Sequence, residues 1–374
     1  MPEEEELVTG GSGRSPTLSE FNGEMFRLAR QFRDLTQKEF AVAISAEPST
    51  ISRIENGLIA PSEDLALRAS QKLNLPVAFF SQPEKVYGLP ISVHPMWRRK
   101  AAVSQRDIDV ALAGMNMRLL HVRRLMKSFE FEPVLSLPQF DVESHDGDTQ
   151  KIATLVRRAW QMPNGPVDDL TAWVERAGCF VIHVQLPDAA MDGVTLRSPD
   201  LPPCIFLNKS LPADRMRFTL AHELGHLIMH RYPTQDMETE ANAFAGQFLV
   251  PSDDIQPYFR GRRIDLRLLA SLKPEWKVAM QSLLYRAKEL GHVDSNQARY
   301  LWQQFNRLKI RMREPAELDF PQEVPTLAPR MLNLHLEQLD YSVADLEKVV
   351  NMYETEIPTF HNLNPGKLGL RLVS

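Results

Sequence analysis

The chain has 374 residues, 43% hydrophobic and 24% charged, a globular composition too long for one core and unlike a wholly disordered chain. Lys and Arg number 43 against 48 Asp and Glu, so the net charge is −5 and any nucleic-acid contact must come from a local patch. Only Cys179 and Cys204 are present, without CxxC pairing, which excludes a disulfide framework or iron–sulfur cluster and fits a reducing cytoplasm.

No run of about 18 apolar residues suggests a membrane span, and Met1–Glu6 lacks the cationic flank and apolar run of a signal peptide. Residues 1–20, with four consecutive Glu and a Gly-Gly-Ser-Gly tract, are expected to be a disordered tail. Residues 21–82 carry short helical patterns, and 83–133 read as a linker followed by basic connector helices. Within that connector, Trp97-Arg98-Arg99-Lys100 is a patch able to track phosphates. A second globular unit is expected over 134–258. It has helices at 149–161 and 167–177, strands at Cys179–Gln185, Gly193–Arg197 and Cys204–Asn208, and helices from Ala213 and over Met237–Phe248. Residues 259–374 form a C-terminal helical region, including the basic segment 260–313 and a helix at Val343–Tyr353. The fold class is therefore α+β, mostly α.

The first motif is Leu35–Ala41 followed by Ser49-Thr50-Ile51-Ser52-Arg53-Ile54-Glu55-Asn56-Gly57. Phe40, Ile44, Ile51 and Ile54 occupy buried positions at helical spacing, while Ser49, Thr50, Ser52 and Arg53 remain outward to reach base edges in a major groove. Gln37, opening the preceding helix, is placed for a phosphate. These residues closely resemble the lambda-repressor-like, XRE-type helix-turn-helix family over about residues 22–80. The resemblance implies a five-helix domain that binds a double-stranded operator as a homodimer. Two positions depart from the pattern: Ser45 stands where Gly is common, and Glu47 where a small polar N-cap is usual.

The second motif is His222-Glu223-Leu224-Gly225-His226 within an apolar helical run. Spacing of i and i+4 puts both imidazoles on one face, ~6 Å apart along the axis, able to share one Zn²⁺. Glu223 is next to His222, able to take a proton from activated water. A third ligand is expected at Glu238, which shares a helix face with Asn242. Glu240 is turned roughly 200° away, so Glu238 is chosen as ligand and Asn242 as the group that orients a histidine. His230 continues the i+4 series but stands ~12 Å from His222 on a continuous helix, too far to share an ion. It is expected to order the cleft or cap the helix.

This pattern, with Glu240-Ala241-Asn242-Ala243-Phe244-Ala245, Leu249-Val250-Pro251 and Leu272–Val278, resembles the ImmA/IrrE zinc metallo-endopeptidases over about 134–320. The resemblance implies a gluzincin-type domain with a small three-stranded sheet and Zn²⁺ as cofactor. It implies peptide hydrolysis, with Glu223 moving the water proton to the leaving amine. His230 and Tyr232 are candidates to stabilise the oxyanion, and strand Cys204–Asn208 is a candidate to pair with an extended substrate. Together the two motifs suggest a regulator that cleaves a regulatory protein, or itself, in a stress or mobile-element switch. Two alternatives stand beside it: an antitoxin that grips a toxin encoded nearby, and a ligand-sensing repressor with an inactive cleft.

Overall fold

The computed structural model describes residues 21–88, 104–186 and 192–361; the 1–20 segment and the Trp97–Lys100 patch lie outside them. Two compact units result, Met1–Tyr87 with Ser342–Ser374, and Gly88–Tyr341.

The first unit is built on α1 (Gly23–Phe32), α2 (Gln37–Ala43), α3 (Pro48–Glu55) and α4 (Glu63–Leu73), with a 3₁₀ turn at Val77–Ser81 as the fifth element. Asn22, Thr36 and Ser62 open α1, α2 and α4 by accepting first-turn N–H groups. Pro48 opens α3 instead, where its missing N–H costs nothing, and Glu47 makes no capping bond. Phe26, Phe40, Ile51 and Ile54 are fully buried, and the Phe26 ring lies 5.5 Å from Phe40 and 5.2 Å from Phe80. A Cβ at Gly23 would lie 2.4 Å from the carbonyl oxygen of Ile54, so only glycine lets α1 meet α3 this closely. Beside that contact Arg30 grips buried Glu55 through Nε at 2.5 Å and Nη2 at 2.9 Å. A buried carboxylate needs such a two-pronged partner.

Residues 342–361 belong to this unit as well. Glu356 accepts from Arg33 Nη2 at 2.7 Å and from Asn74 Nδ2 at 2.6 Å, and the Phe360 ring meets Phe32 edge-on at 5.5 Å. Of the expected single C-terminal region, 259–374, the described residues 342–361 group with the helix-turn-helix helices instead.

The second unit contains α5 (Gln105–Leu125), α6 (Thr149–Ala159), α7 (Leu170–Arg176), β1 (Phe180–Val184), β2 (Gly193–Ser198) and β3 (Leu201–Asn208). It continues through α8 (Ala213–Met229), α9 (Met237–Leu249), α10 (Ser252–Phe259), α11 (Leu266–Trp276), α12 (Met280–Glu289), α13 (Ser295–Arg307) and α14 (Leu327–Glu337). The sheet order is β1-β3-β2, with β1 parallel and β2 antiparallel to β3. A strand hydrogen-bonded on both sides reads as a continuous apolar run, as Cys204–Leu207 does. This overturns β3 as a substrate-pairing strand, because both of its edges are taken. Among the described residues β2 pairs on one side only, and its Thr195 reaches the HExxH helix α8.

Helix α5 and the helices after residue 258 both pack within this unit. Helix α5, expected as a basic amphipathic connector, buries Met115, Met117, Leu119 and Leu120. One hydrophobic cluster runs from Ile152 through Phe248 and Phe259 to Phe305, so no core ends at residue 258. Lys273, fully buried on α11, pairs with Asp214 of α8 and with Glu314 at 2.8 Å. Glu323 accepts from the backbone N–H groups of Leu170 and Thr171, capping α7 from across the chain.

Candidate metal centre and recognition helix

Helices α8 and α9 pack against each other and carry the centre between them. From α8, one turn apart, come His222 and His226, with Nε2 atoms 2.9 Å from one another. From the first turn of α9 comes Glu238, with an oxygen 3.4 Å from each Nε2. The three side chains are 13%, 12% and 36% exposed, which leaves them reachable from solvent.

The remaining ring nitrogens show why this set suits a cation. His222 Nδ1 lies 3.0 Å from Asn242 Oδ1, so with that amide orientation Nδ1 carries the hydrogen and Nε2 is a bare acceptor. His226 Nδ1 lies 2.9 Å from His230 Nδ1, and His230 Nε2 lies 2.8 Å from Glu240 Oε2. If His230 donates through Nε2 to Glu240, its Nδ1 accepts from His226, and His226 Nε2 is bare too. Two lone pairs and a carboxylate then converge with no hydrogen between them. Such a donor set fits a divalent metal of zinc type.

The charges of these groups also act on one another. Burial disfavours the His222 imidazolium, yet the Glu238 hydrogen bond and the Glu223 and Glu238 charges outweigh it and raise His222 above its ordinary value. Burial would raise the Glu238 carboxyl, but His222 and His226 hold it well below the usual carboxylate range. For His230, burial and the neighbouring His226 charge win over Glu240, holding the ring below the ordinary histidine value.

Helix α8 ends at His230, where the backbone leaves helical geometry at φ −109° and ψ 88°. At that break the His230 ring lies between His226 Nδ1 and Glu240 Oε2. Both ring nitrogens are engaged, so His230 has no free donor for an oxyanion. Tyr232 is 71% exposed, with Arg231 over its ring at 5.7 Å, and the structure does not bring it to the centre. Glu223 points to the sheet side, where Thr195 Oγ1 of β2 donates to its Oε2 at 2.6 Å. Arg197 of β2 donates to the carbonyl of His226 at 2.9 Å. Thr195, Arg197 and the role of Glu240 were missed by sequence reasoning, since no local spacing links them to the HExxH helix. Cys179 and Cys204 are buried, which pushes the Cys179 thiol up to about 12 and Cys204 higher still.

In the first unit, Ser49 and Arg53 are exposed on α3, with Thr50 and Ser52 half-buried beside them and Ile51 and Ile54 turned into the core. Ser49, Ser52 and Arg53 share one face by i, i+3 and i+4 spacing. Gln37 is differently engaged: its Nε2 donates to buried Glu55 at 2.8 Å.

Comparison with known families matches residues 174–288 to an IrrE N-terminal-like domain and residues 26–80 to a helix-turn-helix model. No curated protein matches the chain. No helix among the described residues is long and apolar enough to cross a membrane. The chain therefore joins an XRE-type helix-turn-helix domain to an ImmA/IrrE-like, peptidase-type domain.

Proposed function

We propose that the protein is a cytoplasmic, dimeric DNA-binding regulator whose zinc-dependent endopeptidase site cleaves a regulatory protein or the chain itself. The observation that carries this reading is the convergence of His222 Nε2, His226 Nε2 and the Glu238 carboxylate, with Glu223 near enough for its charge to act on His222. His222, His226 and Glu238 would hold the ion, and Asn242 and His230 set the tautomers that aim the two imidazoles. When bound, zinc supplies Lewis-acid activation of a water molecule and of the scissile carbonyl.

The chain's own residues do the rest. Glu223 takes the proton of the attacking water and returns it to the leaving amine. Thr195, donating to Glu223 Oε2, fixes which oxygen of that carboxylate is free for the proton. The edge of β2 that pairs with no described strand accepts an extended peptide as an added strand and brings its backbone past Glu223. On the DNA side, Ser49, Thr50, Ser52 and Arg53 of α3 read base edges, and paired half-sites call for a homodimer.

The test is co-expression of the wild type and Glu223→Gln with the genes encoded immediately beside this one, followed by zinc analysis and mass spectrometry of fragments. Fragments with the wild type alone, at equal zinc content, are the expected result. A stable zinc-containing complex with a neighbouring protein and no fragments would replace this reading with the antitoxin one. In operator-binding titrations Arg53→Ala lowers affinity by about 1–3 kcal/mol, and unchanged affinity would remove α3 as the reading helix.

A further inference from the structure

A cavity of about 500 Å³ opens beside the metal centre, between α9 and α12 and one face of α8. That volume lies within the range of about 300–1,000 Å³ typical of pockets for small ligands. Its walls are mainly apolar, from Phe218, Leu249, Val250, Val278 and the ring of Tyr285. The polar groups at its far side are largely engaged: Arg286 is bonded to the Val250 carbonyl, to Ser252 and to Glu289.

Two relationships tie the cavity to the centre. Phe218 and His222 lie one turn apart on the same face of α8, so the pocket begins ~6 Å along the axis from a ligand histidine. Asn242, whose Oδ1 is 3.0 Å from His222 Nδ1, lines the same cavity. One turn further along α9, Gly246 also lines it. A Cβ built at Gly246 meets no atom within 4 Å. Glycine inside a helix costs about 0.5–1 kcal/mol relative to alanine, and neither neighbouring atoms nor backbone conformation demands it here. What Gly246 does is keep the cavity open next to the centre.

We propose that this pocket selects the substrate of the peptidase site, receiving a bulky apolar side chain, aromatic or branched aliphatic, from the residue adjoining the scissile bond. The inference rests on the peptidase reading for its substrate, but not for its binding chemistry. Because the pocket wall includes α12, substrate choice depends on the helices downstream of the metal-binding pair. Gly246 is the residue whose size sets what enters.

Two measurements on the full chain separate the inference from the reading it rests on. In the first, zinc-loaded Glu223→Gln protein is titrated with N-acetyl-phenylalaninamide and N-acetyl-serinamide by ligand-observed NMR. Binding of the phenylalanine probe alone is expected, weakened on the order of 10- to 100-fold when Gly246→Leu is added. Gly246→Ala controls for folding and keeps most of the affinity. In the second, the active chain digests a peptide library and the cut sites are mapped. Enrichment of Phe, Leu, Ile or Trp beside the cut, shifting to small residues in Gly246→Leu, is expected.

Phenylalaninamide binding that ignores Gly246→Leu would overturn the pocket, as would cleavage with no apolar preference, or with one that the variant leaves unchanged. Probe binding sensitive to Gly246 in a chain that cuts nothing would keep the apolar site and discard the peptidase reading.

Discussion

Glu240 Oε2 lies 2.8 Å from Nε2 of His230, although Glu240 sits only two residues from Glu238, which faces the other two histidines. The two carboxylates meet different histidines, Glu238 facing His222 and His226 and Glu240 facing His230. Glu238 approaches the bare Nε2 atoms, while Glu240 works through His230 to decide which nitrogen of His226 is bare.

That relay makes a prediction about metal affinity. Glu240→Ala lowers zinc affinity by about 10- to 100-fold, the usual cost of losing an orienting partner behind a metal ligand. Glu240→Gln, which still accepts a hydrogen bond without the charge, falls between. Competition titration against a chromophoric chelator reads both, and the melting temperature of the metal-free protein controls for folding. Equal affinity in the wild type and Glu240→Ala would dismiss the relay.

Ser45 adopts φ 52° in the turn between α2 and α3, a left-handed conformation that a side chain disfavours by about 1–2 kcal/mol. Its side chain is exposed, and the neighbouring Arg68 bond is to its backbone carbonyl. Ser45→Gly therefore relieves strain at no loss of packing, offset in part by the greater freedom of glycine in the unfolded chain. A net gain of about 0.5–1 kcal/mol is expected, visible as a rise of a few degrees in the melting of the helix-turn-helix unit. No rise, or a fall, would show that the turn is not strained.

His183, half-buried on β1, has its imidazole pushed down to about 4 by burial. In the unfolded chain it takes a proton near pH 6.5. Below that pH the unfolded state binds a proton that the folded state refuses, so this residue's contribution to stability falls as pH drops from 6.5 to 4. By pH 5 the loss amounts to about 1–2 kcal/mol. His183→Gln removes the titrating group, and its melting temperature should decline less between pH 7 and pH 5 than that of the wild type. Parallel declines would mean that His183 is protonated in the folded protein.

Much of this protein is legible in local spacing. The i, i+4 interval of His222 and His226, the shared face of Glu238 and Asn242, and the buried register of Phe40, Ile51 and Ile54 follow from helix geometry alone, because residues three or four apart in a helix are neighbours whatever surrounds them. The three strands were also readable, from β-branched runs between turn residues. Tertiary structure decided what depends on partners distant in sequence. The central position of β3, which leaves β2 paired on one side only among the described residues, is set by long-range pairing, and a continuous apolar strand reads alike in either place. Thr195 reaches Glu223 across 28 positions, and Glu356 reaches Arg33 across 323. Contacts of that kind leave no periodic trace in the sequence, since their spacing is fixed by the packing of whole elements rather than by the geometry of one.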